Sequence, residues 1–138
     1  MYHTIIIAGN LGRDPGMRYT PQGNPVCNFS VATSRTYTGS NGDQVKETTW
    51  FRISTWGKLA ETCNQYLKKG RQVLIEGRLN ADPATGGPRT FQRQDGTMGT
   101  SFEVTANTVR FLGHKENGDS ETAKQAVNNS NDDDYIPF

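Results

Sequence analysis

The chain has 138 residues, 15 Lys+Arg against 14 Asp+Glu, a net charge of +1 and a hydrophobic fraction of 33%. The length suits one domain, and a mean hydropathy of -0.74 is low for a chain that fills a core along its whole length. No run approaches the roughly 18 apolar residues of a membrane span, so no membrane association is expected.

Thr4-Ile5-Ile6-Ile7-Ala8 is a β-branched run, which predicts a first strand closed by a turn at Gly9-Asn10-Leu11-Gly12. It is too short, and lacks a preceding basic segment, to serve as a secretory leader. Val26, Asn28 and Ser30 alternate with Cys27, Phe29 and Val31, a period-two strand with one apolar face. Tyr37–Lys46 then reads as a long polar loop, and Thr48–Thr55 as the next strand. Leu59, Ala60, Cys63, Tyr66 and Leu67 share one helical face, and Lys68-Lys69-Gly70 supplies a basic, glycine-stopped end. Gln72–Glu76 predicts a further strand, Asp82–Thr100 a second long polar loop, and Ser101–Thr105 and Thr108–Leu112 the last β-rich runs.

About five strands with one short helix between the third and fourth predict an all-β fold. A five-stranded Greek-key barrel of the oligonucleotide-binding (OB) type fits better than a sandwich, which wants about seven strands and no helix. From His114 to Asp134 the apolar side chains are Ala123, Ala126 and Val127, too few to offset the entropy of ordering the segment. The expected organisation is therefore a barrel domain over 1–113, a disordered linker over 114–131 and a distinct tip over 132–138.

Charge follows the same division. Residues 1–113 carry 13 Lys+Arg and 8 Asp+Glu, a balance of +5, whereas residues 114–138 carry 2 and 6, a balance of -4. A basic body joined to an acidic tail points either to a body that meets an anion and a tail that meets something else, or to a soluble domain with a solubilising tail. Charge alone does not choose between them. The tip, Asp132-Asp133-Asp134-Tyr135-Ile136-Pro137-Phe138, sets carboxylates before large apolar groups. Asp132, Asp133, Asp134, Ile136, Pro137 and Phe138 suit docking into an apolar pocket ringed by basic residues.

The most informative run is Trp50-Phe51-Arg52-Ile53-Ser54-Thr55-Trp56. In a strand alternate residues share a face, so Trp50, Arg52, Ser54 and Trp56 lie opposite Phe51, Ile53 and Thr55. Burying the first set would strand a guanidinium in the core, so the aliphatic set faces inward. Outward indoles flanking an arginine provide flat rings for bases and a cation for phosphates, each stacking contact being worth ~1–3 kcal/mol. The alternative use of such rings is to close a subunit interface or a barrel end. Tyr37, at the start of the first loop, and Phe91, within Arg89-Thr90-Phe91-Gln92-Arg93 in the second, can extend such a surface. Arg13, Arg18, Lys58, Lys68, Lys69, Arg71 and Arg78 are candidate phosphate contacts or solvated surface charges.

Gly9-Asn10-Leu11-Gly12-Arg13-Asp14-Pro15, Trp56-Gly57-Lys58-Leu59-Ala60-Glu61, Tyr66-Leu67-Lys68-Lys69-Gly70 and Ile75-Glu76-Gly77-Arg78-Leu79 resemble segments of the bacterial single-stranded DNA-binding proteins. The likeness covers nearly the whole body and the tail tip, with Tyr135 inserted before Ile136-Pro137-Phe138. It implies an OB-fold homotetramer that wraps single-stranded DNA without sequence preference and recruits replication, recombination and repair proteins through its tip. Stacking aromatics are implied at Tyr37, Trp50, Trp56 and Phe91, with tyrosine and phenylalanine replacing the family's usual tryptophans in the two loops. Trp56 stands where the family often has phenylalanine. Phe51 and Leu74 match positions near the family's subunit interfaces, and Leu74 also lies on the strand face opposite Val73 and Ile75. The second loop is longer than in many members, and the tail lacks their Gly/Pro/Gln-rich linker.

The predicted DNA-contact set is thus Arg13, Tyr37, Trp50, Arg52, Trp56, Lys58, Lys69, Arg89, Phe91 and Arg93. Cys27 and Cys63 have no CxxC spacing and no histidine beside them, so buried thiols in a reducing cytoplasm are expected instead of a metal site. His3 and His114 are isolated, and no phosphate-loop motif occurs, so neither catalysis nor a cofactor is expected. Other readings are an OB-barrel adaptor for proteins, or an OB-fold nuclease, which needs clustered carboxylates that the body does not carry in sequence.

Overall fold

The structure is a computed structural model, described over residues 1–113. The linker and tip expected over 114–138 lie outside the described residues. The elements are β1 (Ile5–Leu11), β2 (Gly16–Tyr19), β3 (Pro25–Thr38), β4 (Gln44–Trp56), α1 (Lys58–Tyr66), β5 (Gln72–Asn80), β6 (Arg89–Gln92) and β7 (Met98–Leu112). The sheet runs β1-β5-β7-β4-β3, and β3 returns to pair with β1, so five strands close on themselves. The β4–β7 pairing is parallel, and the other barrel pairings are antiparallel. The expected five-stranded OB barrel with one short helix is present, with β2 and β6 added as four-residue strands on β3 and β7.

Period-two patterning builds the core. Cys27, Phe29 and Val31 of β3 meet Ile53 of β4, Val73 and Ile75 of β5, and Val104, Ala106 and Val109 of β7, all buried. Ala60 and Cys63 of α1, with Leu67 just beyond it, join the same cluster. Gly57 precedes helix α1 with a φ of 66° that suits glycine, and the helix packs on β3 and β4. It ends at Tyr66, one turn before Gly70. The Lys68-Lys69-Gly70 segment forms a separate turn, closed by Arg71 N–H donating to the Lys68 carbonyl at 3.0 Å. Tyr66 is half-exposed instead of core-facing, its ring 5.8 Å from that of Phe111.

Four segments depart from expectation. Gly9 to Leu11 are strand, not turn: Asn10 and Leu11 pair with Ala32 and Val31 to close the barrel. A side chain at Gly9 would strike the Ala32 carbonyl oxygen, so glycine here permits close approach of two backbones. The Tyr37–Lys46 loop is a hairpin arm, with β3 and β4 paired as far as Thr38 opposite Gln44. The second loop holds a hairpin as well, with Arg89–Gln92 paired to Met98–Ser101. Ser101–Thr105 and Thr108–Leu112 belong to one strand, interrupted by a register shift opposite Glu76/Gly77. Among the described residues no helix is long and apolar enough to cross a membrane.

Candidate nucleic-acid interface

The face predicted to point outward does so. Trp50 and Trp56 are 53% and 50% exposed and Arg52 is exposed, while Ile53 and Thr55 are fully buried. Thr55 tolerates burial because its Oγ1 donates to the Cys27 carbonyl at 3.0 Å. Register places Trp50 beside Ala32, Arg52 beside Ser30, Ser54 beside Asn28 and Trp56 beside Val26 on one face of the β3–β4 ribbon. Ser54 Oγ donates to Asn28 Oδ1 at 2.9 Å, which ties the two strands on that face. Six strand steps separate the two tryptophans, a span of about 20 Å.

An open cleft of about 750 Å³ crosses this face. Trp50, Phe51 and Arg52 of β4, Asn28, Phe29 and Ser30 of β3, and Thr100, Ser101 and Phe102 of β7 line it. Arg13 and Asp14 enter from the β1–β2 loop and Phe91 from β6. The cleft therefore gathers Arg13, Trp50, Arg52 and Phe91, predicted from distant parts of the chain. It gives them aromatic surface, positive charge and a lining of hydroxyl and amide groups, the combination that single-strand grooves use.

Two rings are seated on glycines. A Cβ at Gly12 would lie 2.5 Å from Cζ3 of Trp50, so the indole rests against bare backbone. A Cβ at Gly99 would lie 2.7 Å from Cζ of Phe91 and equally close to the Arg93 guanidinium. Arg93 stacks on Phe91 at 5.4 Å and donates to the Met98 carbonyl at 2.8 Å. Its charge thus rides on the ring, held by the β6–β7 turn.

The remaining predicted contacts are not in the cleft. Trp56 lies at the far end of β4, next to the start of α1 where Lys58 is exposed. Lys69 is exposed in the turn after α1, where its backbone N–H donates to Asp14 Oδ1 at 2.8 Å and ties that turn to the cleft edge. Arg89 is exposed on β6. Tyr37 projects from the hairpin arm, and the register sets it on the ribbon face opposite Trp50. There Arg35 stacks on the tyrosine ring at 4.8 Å and pairs with Glu47 at 3.0 Å. Hydrogen bonds from Arg35, then from Tyr37, hold the Glu47 carboxyl below its ordinary range.

Arg35 and Phe102 were not singled out from sequence. The signal for Arg35 was its position two residues before Tyr37 on one strand face; Phe102 sat unmarked inside a β-rich run. Phe51 is half-buried against the core and 6.0 Å from Phe102, ring to ring. Leu74 is half-buried on the outer face of β5, between Ala8 and Arg110 by register. Among the described residues no group of three or more His, Cys, Asp or Glu side chains is placed to hold a metal ion. Cys27 and Cys63 are buried free thiols. Burial, and then the neighbouring Cys27, push Cys63 up to about 12, and burial also raises Cys27.

Fold and cleft define an OB barrel with a basic, aromatic groove on its outer face. The model of the Single-strand binding protein family matches residues 2–112, and the chain belongs to that family. Single-stranded DNA-binding proteins of two Neisseria meningitidis strains are 46% identical over 109 residues, covering 79% of this chain and 59% of theirs. Single-stranded DNA-binding protein 1 of Chlorobaculum tepidum is 41% identical over 115 residues, covering 83% of this chain and 67% of its own. The match thus spans little more than half the length of the Neisseria relatives. Among solved structures, the Plasmodium falciparum SSB in complex with ssDNA superimposes with a TM-score of 0.67 at 23% identity, covering 82% of this chain and 97% of that one. A deletion mutant of the Thermus aquaticus single-stranded DNA binding protein gives 0.63 at 24%, covering 81% and 51%. These two likenesses establish the fold.

Proposed function

We propose that this chain binds single-stranded DNA without sequence preference, coating and protecting it and performing no catalysis. The observation that carries the reading is the cleft itself, which brings Trp50 and Phe91 together with Arg13 and Arg52. Stacking on the rings favours unpaired bases whatever their identity, and phosphate neutralisation adds salt-dependent affinity. In this reading Trp56, Lys58, Lys69 and Arg89, exposed outside the cleft, supply a further ring and further charge, and Tyr37 with Arg35 offers a platform on the hairpin arm. The names of the Neisseria and Chlorobaculum relatives support DNA as the nucleic acid. In this reading the chain works as a homotetramer, with Phe51 and Leu74 near subunit contacts, in the cytoplasm on the nucleoid. Asp132–Phe138 recruits replication, recombination and repair proteins. Titration with oligo-dT and with duplex of equal length tests the reading: oligo-dT quenches tryptophan fluorescence and saturates, and duplex does not compete. Equal affinity for the two overturns it.

A further inference from the structure

Phe102 is a large ring of β7 that is 46% exposed and lies outside the core cluster, although its strand neighbours Val104 and Ala106 are buried. By register it shares the inward face of the sheet with Phe51, Ile53 and Val104. Ile53 and Val104 are fully buried, whereas Phe102 reaches the cleft wall. Phe51 fills the space between: it packs on the core and meets the Phe102 ring at 6.0 Å with a tilt of 39°. The exposed side of Phe102 therefore belongs to the same cleft as Trp50, Arg52 and Phe91, with Thr100 and Ser101 beside it.

Resting on the function proposed above, we propose that Phe102 is an additional base-stacking residue of the cleft, occupied by an unpaired base of single-stranded DNA, with Phe51 the positioning residue behind it. Three features of the cleft fit this occupant. The ring is continuous with the surface that carries Trp50 and Phe91. Arg13 and Arg52 supply charge for the phosphates of a strand lying across it. Ser and Thr hydroxyls along the same wall, Thr100 and Ser30 among them, suit the polar edges of a base.

The test uses the full chain as wild type, Phe102→Leu and Phe102→Tyr, titrated with labelled oligo-dT at several salt concentrations, with assembly mass measured in parallel. Phe102→Leu is expected to lose affinity by about tenfold, the effect of one lost stacking contact, with unchanged mass and an unchanged slope of affinity against salt. Phe102→Tyr keeps the ring and is expected to bind as wild type. Ultraviolet crosslinking of iodouracil-substituted oligo-dT to the wild type is expected to label Phe102. The inference is overturned if Phe102→Leu binds as wild type, if Phe102→Tyr loses as much as Phe102→Leu, or if crosslinks reach Trp50 and not Phe102. It is equally overturned if the loss in Phe102→Leu accompanies a fall in assembly mass, which would make the ring a subunit contact. Failure of the wild type to bind oligo-dT sinks the function itself, whereas wild-type binding with a silent Phe102→Leu sinks this residue's role alone.

Discussion

Trp50 rests on Gly12 and Phe91 on Gly99, and neither glycine has the left-handed φ that would demand glycine on backbone grounds. Their lack of a side chain serves the ring above. Gly12→Ala should therefore leave the barrel folded while turning the indole out of its seat. Oligo-dT affinity is expected to fall by about 1 kcal/mol or more, within the worth of one stacked base, with melting temperature nearly constant by circular dichroism. At this scale the sequence was most legible where alternation decides a residue's side: Trp50, Arg52 and Trp56 follow from period two and the cost of burying a guanidinium. Phe102 was not legible, because its inward register gave no sign that the barrel wall opens there. The Arg35–Tyr37–Glu47 cluster was hidden because it joins two strands across a hairpin that composition read as a loop.

The elements show why the loops misled. Strand alternation is visible in sequence only where one face is buried. Residues 34–38 and 44–48 are exposed or half-buried throughout, so the hairpin arm carries turn-like composition while remaining paired. Gly9 misled in the other direction, as a turn signal that serves barrel closure. Gly9→Ala pushes a methyl group into the Ala32 carbonyl and is expected to cost about 1–3 kcal/mol, the range of overpacking, read as a lower denaturant midpoint. Helix α1 is joined to the barrel through buried Cys63, close enough to Cys27 for the two thiols to influence each other. An unfolded thiol ionises at roughly 8.5, whereas folded Cys63 holds its proton to about 12. This contribution to stability is therefore complete below the unfolded value and is lost as pH rises through the folded one. The melting temperature should fall across that alkaline window, and fall less steeply in Cys63→Ala.

For the whole molecule, a net charge of +1 conceals a body at +5 and a segment over 114–138 at -4. Part of the body's positive charge lies at the cleft, with Arg13 and Arg52 lining it and Arg93 stacked on Phe91. The proposed tip adds a second role. Deleting Asp132–Phe138 is expected to leave oligo-dT affinity unchanged, or to raise it at low salt, while abolishing capture of repair and replication proteins. Retained capture would remove the tip from the mechanism.

In the proposed function, bases stack on the outward tryptophans of β4. Fluorescence anisotropy of labelled oligo-dT tests it most directly, comparing the wild type with Trp50→Ala combined with Trp56→Ala. The double variant is expected to lose about 2 kcal/mol or more, from two stacked bases, with the salt slope retained because the arginines remain. Unchanged affinity in the double variant would contradict it.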